Sequence, residues 1–391
     1  MSQHLSQALH RIEASPTTAM TDRASELRAQ GRDIISLSVG EPDFDTPPHV
    51  IQAAKDALDA GETRYTPVTG TARLKQAAAL HFHRDLGINT DPSQVIVTAG
   101  GKQAIFEALA ATISAGDEAI VPSPWWVSYP QMVRFCGGTV VPLRTSPANG
   151  YRFHPSELEG LITPRTNWLL LNSPGNPTGA IYPAEMLRGI GEVLRRHPQV
   201  LVMSDDIYAP LRYSDAPHAT LAVECPDLAD RIITVSGVSK SHAMTGFRIG
   251  IATGPEWLIS AMGRLQSNSS GNPASISQAA AVAAFEGPQD FLADWRDVFR
   301  NRRDMVVARI NAIPGLSTLV PDGAFYCLVD AAPLMDRFGG DDGKLALHLL
   351  DSGVATVAAS AFGGHSGFRI SFAADEAVLA AALDRIEKAL S

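Results

Sequence analysis

The chain has 391 residues, 45% hydrophobic and 19% charged, which excludes a disordered segment and gives the length of two or three domains. Its 32 basic and 41 acidic residues leave a net charge of −9 with no long basic run, which argues against nucleic acid and anionic membranes as partners. Three scattered cysteines (Cys136, Cys225 and Cys327), a polar N-terminus and no bilayer-length apolar window fit a protein with reduced thiols whose expected location is the cytoplasm.

The pattern predicts a first helix over 21–30, ended by Gly31, then a strand over 34–39 running into the turn-rich loop GEPDFDTPP. Helices are expected at 48–60 and 71–86, with the loop TRYTPVTG between them. From 94 to 254 the chain repeats strand, turn and helix. Strands are expected at 95–98, 119–121, 168–172, 200–204, 232–236 and 248–253, and helices such as 103–113 and 183–195 separate them. Short, continuously apolar strands alternating with helices indicate a mainly parallel sheet covered on both faces, with ligands bound beyond the carboxyl ends of its strands. A long amphipathic segment at 288–313 follows. Strands at 324–329 and 368–372, a helix at 344–351 and a last helix from 375 then suggest a smaller α/β domain.

The chemistry centres on VSGVSKSHAMTGFRIG, residues 235–250. Lys240 sits among small hydroxylated residues, and Arg248 follows at the head of an apolar run. A lysine used as a nucleophile needs an apolar pocket or a cationic neighbour, and an arginine fork suits a phosphate. Pyridoxal phosphate is the cofactor that needs both an amine and a phosphate clamp. The competing reading is two solvated surface residues, since most lysines and arginines are exposed.

Resemblance separates the two. This stretch resembles the lysine signature of the fold-type I, class I/II aminotransferases, especially the bacterial aspartate aminotransferase kind. Further segments match in the same order, from SVGEPDF to FRISFA, over nearly the whole chain. The resemblance implies a homodimeric pyridoxal 5'-phosphate enzyme. Residues 46–285 would form the large cofactor-binding domain, and 1–45 with 286–391 the small one.

Residue by residue, the resemblance implies that Lys240 forms the Schiff base and transfers the substrate proton. In TAGGKQA, Gly101 and Lys102 would meet the cofactor phosphate together with Arg248, at a helix start that favours anions. The chain has Gly237 where a serine ligand is often found, which leaves Ser239 or Ser236 as substitutes. Asp205 would pair with the pyridine nitrogen, Tyr208 and Asn176 would hydrogen-bond the ring oxygen, and Trp126 would stack on the ring face. Asp206 stands where relatives usually carry glutamate, and Gly175 where asparagine is usual; Trp125 is expected in the core. Arg369 would hold the substrate α-carboxylate, Gly40 would leave room for substrate, and Lys102 would meet the distal carboxylate of an acidic substrate. Tyr65 would reach the partner subunit's phosphate, with Ser269 and Ser270 near the same interface.

Other signals carry less. His81 and His83 lie two apart on a helix and cannot share a metal. There is no GxGxxG after the first strand, no P-loop and no GxSxG elbow, and His365 in its glycine-rich loop is expected to be solvated. The reading is an aminotransferase that moves an amino group between an amino acid, aspartate or glutamate, and a 2-oxo acid. The alternatives are a β-C–S lyase of the same fold and a cofactor-binding sensor module, the latter lacking any DNA-binding extension.

Overall fold

The computed structural model describes residues 4–364 and 366–391, so His365 lies outside the described residues. Its strands are β1 (Ile35–Ser36), β2 (Val95–Thr98), β3 (Glu118–Ser123), β4 (Thr139–Arg144), β5 (Thr166–Asn172), β6 (Leu201–Asp205), β7 (Ile232–Gly237), β8 (Gly250–Thr253), β9 (Tyr326–Asp330), β10 (Val354–Ala355), β11 (Val357–Ala358) and β12 (Gly367–Ser371).

Seven of them form one sheet in the order β2-β8-β7-β6-β5-β3-β4. Only β8 runs antiparallel to its neighbours. Alternation along the strands sends their side chains to opposite faces. Trp168, Leu170, Met203, Ile233 and Val235 pack with Ala104, Ile105 and Ala108 of the helix Gly101–Thr112. The intervening Leu169, Leu171 and Val202 pack with Leu187, Ile190 and Leu194 of the helix Ala184–Arg195. That two-sided burial is why these strands are apolar along their whole length.

A three-stranded antiparallel sheet, β11-β12-β9, is covered by the helices Phe291–Ala312, Asp342–Asp351 and Glu376–Leu390 in a second core, which Tyr208, Leu211 and Tyr213 join from the segment after β6. The N-terminal segment joins this part: β1 pairs with β10, and Ala24, Leu27 and Ile34 pack on Leu350 and Ala355. Among the described residues no helix is long and apolar enough to cross a membrane.

Three expectations are corrected. The helix expected over 21–30 starts earlier, at Pro16, because Ser15 caps it by accepting from Thr18 N–H and proline suits the first turn, and a short helix, Gln7–His10, precedes it. The strand expected over 34–39 is only Ile35–Ser36, since the chain then leaves the sheet toward Gly40. The strand expected from 248 begins at Gly250, because Arg248 has φ +55°, a left-handed conformation that cannot continue a strand.

Candidate active site

Beyond the carboxyl ends of β5, β6 and β7 lies a cavity of about 340 Å³. Gly40, Gly101, Lys102, Trp126, Asn176, Asp205, Tyr208, Ser239, Lys240, Arg248 and Arg369 all line it. Tyr65, expected at the site of the partner subunit, stands apart from it and is 98% exposed. Ser269 and Ser270 are exposed as well.

Lys240 follows β7, and its Nζ donates to the Gly40 carbonyl at 2.5 Å. Burial pushes its pKa down to about 8, with the Arg248 and Arg369 charges adding to the fall and Glu41 opposing it. A neutral, nucleophilic amine is therefore accessible near neutral pH. Gly40 is glycine because a Cβ there would stand 2.2 Å from Tyr326 Oη.

Asp205 closes β6 and is 5% exposed. Burial pushes its carboxyl up to about 6, while Tyr129 Oη, donating at 2.6 Å, pulls the other way. Tyr208 and Tyr326 share a hydrogen bond between their hydroxyls at 2.8 Å, and burial raises the pKa of both phenols. Asn172 Oδ1 accepts from the Asn176 N–H at 2.8 Å, and its amide donates to the Asp205 carbonyl at 2.8 Å, tying the two strand ends together.

Arg369, on β12, is 2% exposed and has no carboxylate partner among the described residues. Its Nη1 donates to Asn176 Oδ1 at 3.0 Å and its Nη2 to the Ser38 carbonyl at 2.5 Å, while its buried Nε has no partner. The Tyr326 and Phe362 rings flank the guanidinium at 4.6 and 4.8 Å. Burial lowers its pKa. A buried fork held by rings and carbonyls is poised for an anionic ligand.

At the other end, the helix Gly101–Thr112 begins without any side-chain cap. Its first N–H groups are thus free for an anion. Arg248 donates to the Thr245 carbonyl at 2.9 Å and the Ala99 carbonyl at 3.2 Å. Gly100, at φ +90°, lets it approach, since a Cβ would meet Arg248 Nη2 at 2.2 Å. Lys102 is on the exposed rim with Nζ 5.0 Å from the Trp126 ring centre, and partial burial followed by the Arg248 charge lowers its pKa.

Of the two substitute serines, only Ser239 reaches the cavity. Ser236 is turned away and bonded to His81 Nε2 at 2.9 Å, while His81 Nδ1 meets Asp85 at 2.6 Å. Gly237 itself sits tightly packed, with the Ile249 carbonyl 3.1 Å from where a Cβ would be. Sequence reasoning did not single out Tyr326 or Asn172, nor Ser15, Thr17 and Thr18 at the start of the first long helix, all of which line the cavity, nor Tyr129, which reaches it through Asp205. Only the Ser15-Pro16 capping signature gave a readable hint of that helix start.

The family model for aminotransferase class I and II matches residues 32–386. An aspartate/prephenate aminotransferase from Cereibacter sphaeroides is 48% identical over 390 residues, 98% of each chain. Among solved structures, the aspartate aminotransferase from Rhizobium meliloti superposes with a TM-score of 0.95 at 43% identity, covering 100% of this chain and 99% of that one. The Thermus thermophilus aspartate aminotransferase with maleate gives 0.94 at 40% identity, covering both chains completely. On the match of nearly its whole length in sequence and in fold, the chain belongs to the class I and II aminotransferases, enzymes that transfer amino groups.

Proposed function

We propose that the enzyme uses pyridoxal 5'-phosphate to exchange an amino group between aspartate or glutamate and a 2-oxo acid. The observation that carries this reading is the pairing, in one cavity, of a buried amine of lowered pKa with a buried arginine that has no carboxylate partner among the described residues. The residues fit the cofactor. The uncapped helix start with Arg248 and Ser239 suits its phosphate, Asp205 its ring nitrogen, Tyr208 and Asn176 its ring oxygen, and Trp126 its face. When bound, that cofactor supplies an electron sink for the charge left at the substrate Cα.

The protein's own groups do the rest. Arg369 grips the α-carboxylate and fixes the Cα–H bond, and Lys240 Nζ takes that proton and returns it. Asp205 stays anionic to hold a proton on the ring nitrogen, and Tyr129 supports it. Lys102, beside Trp126, receives a second carboxylate. Maleate, named with the Thermus relative, is a four-carbon dicarboxylate, which supports an acidic substrate. The core built mainly from 286–391, which Tyr208, Leu211 and Tyr213 join from the larger part, supports a division into 46–285 and 1–45 with 286–391. Tyr65, exposed on the single chain, is assigned to the partner subunit's phosphate in a homodimer. Free cysteines support a cytoplasmic setting.

The test is an acceptor screen on the purified enzyme, with aspartate and glutamate as donors against a panel of 2-oxo acids. Sustained turnover that requires both substrates supports transamination. Pyruvate release from a cysteine conjugate without any acceptor would point to the lyase reading, and no turnover at all to a sensor.

A further inference from the structure

A second cavity, of about 250 Å³, adjoins the turn that carries Lys240 yet shares no lining residue with the first. Its walls are the end of the helix Ala72–Leu86, the turn Ala209–Leu211 with Arg212, Ser241 and His242 just after Lys240, and the first turns of the helix Phe291–Ala312. Three arginines from three separate elements line it. Their situations differ.

Arg84 is spent. Its fork holds Asp85 at 2.7 and 2.6 Å, and its remaining arm donates to the Phe285 carbonyl at 2.9 Å. Asp85 also meets His81, so the only carboxylate on the wall is fully engaged. Arg212 is half-buried and donates to two carbonyls, Ala216 at 2.9 Å and Ala209 at 3.2 Å, but it has no ion pair among the described residues. Arg296, also half-buried, makes neither a hydrogen bond nor an ion pair among the described residues. Burial lowers the pKa of Arg212, and the next cause is the Arg296 charge, with Asp85 a weaker attraction. Two like-charged guanidiniums thus line one recess with no anion of their own. Folding gains nothing from bringing them together, because like charges in a recess repel more strongly than in open water.

We propose that this cavity is a second ligand site, for a small phosphate-bearing dianion held by Arg212 and Arg296. The two forks come from different elements, so a single group with several acceptor oxygens satisfies both, and phosphate offers three. Its two negative charges match the two unpaired guanidiniums. The volume admits inorganic phosphate or a short phosphate ester.

Titration calorimetry on the cofactor-loaded enzyme tests this, because loading fills the cofactor's own phosphate site first. The probes are inorganic phosphate and glycerol 3-phosphate, with ionic strength held constant by chloride. Saturable binding is expected, weakened roughly tenfold or more by Arg296→Gln, with Arg296→Lys in between because it keeps the charge but loses the fork. Arg296 gives up no hydrogen bond to the fold, so Arg296→Gln should stay folded. The proposal is overturned if the wild-type enzyme shows no saturable phosphate binding, or if the affinity is unchanged in Arg296→Gln. It also falls if succinate binds in an Arg296-dependent way in preference to phosphate.

Discussion

Replacing Tyr129 with phenylalanine tests how the acid on the cavity floor is kept ionised. The phenol donates to Asp205 Oδ2 at 2.6 Å, and the other donor to that carboxylate is the Ile207 N–H at 3.3 Å. Burial pushes Asp205 up to about 6, and the Tyr129 hydrogen bond is the largest opposing influence. A hydrogen bond to a charged group is worth about 1.5–3 kcal/mol, or roughly a ten- to hundredfold change in an acid constant. Phenylalanine retains the ring and its edge-on contact with Trp126 at 5.3 Å, so packing changes little. The sign follows from which form is penalised. Burial disfavours the anion, loss of the donor disfavours it further, and the pKa rises. Asp205 is then anionic only above a higher pH than in the wild type. The assay is the dissociation constant of pyridoxal phosphate across the pH range, read by fluorescence quenching in both proteins. Wild-type affinity should fall as the pH drops through about 6, where Asp205 takes up its proton. The variant's decline should begin roughly one to two pH units higher. Ionisations of the cofactor itself are common to both proteins and drop out of the comparison. Superimposable profiles would refute the idea that Tyr129 holds Asp205 in its charged form.

Lys102→Ala should cost aspartate roughly ten- to a hundredfold in kcat/KM and alanine much less, as loss of one charged hydrogen bond predicts. Equal losses for the two donors would assign Lys102 to the phosphate or the fold instead. Tyr65→Phe should weaken cofactor retention without unfolding, since the residue is 98% exposed on the single chain. Mixing Tyr65→Phe with Lys240→Ala subunits should restore one working site per heterodimer. Activity no higher than the Lys240→Ala parent, with heterodimers demonstrably present, would sink the shared-site assignment.

What could be read from the sequence was set by what repeats. The alternation of apolar strands and helices predicted the parallel sheet, and 95–98 matches β2 residue for residue. β4 escaped notice because it is a half-exposed edge strand that carries Pro142 in its middle, a residue that argues against a strand in the sequence. Lys240 and Arg248 were legible through the resemblance of their stretch to a family signature, because on local pattern alone they could equally be solvated surface residues. Tyr129 and Tyr326 were not, since a buried phenol that supports a carboxylate has the same local pattern as one that merely packs. The fate of Ser236 was also hidden: its partner His81 lies 155 positions away, and only the fold brings them together.

Charge bears on the substrate as well as on the cofactor. Four cationic side chains, Lys102, Lys240, Arg248 and Arg369, surround one carboxylate, Asp205, on the cavity wall, a formal excess of three. In the proposed reading, the cofactor's phosphate ester brings about −1.5 to −2 at neutral pH and pairs with Arg248 and the helix start. On the proposed assignment, the α-carboxylate of the amino-acid substrate pairs with Arg369. Paired group by group, with Lys240 used as the reacting amine, Lys102 is the lining cation left without a partner. It cannot be answered by the helix it begins, because a cation at a helix N-terminus is disfavoured by about 0.3–1 kcal/mol. On the exposed rim that penalty is small enough to tolerate without a ligand, so Lys102 does not threaten the fold. The same cation is costly to leave unmatched once a substrate with an uncharged side chain closes over it and removes water. Discrimination between acidic and neutral donors should therefore appear in kcat/KM, where the bound transition state is sampled, rather than in the stability of the free enzyme.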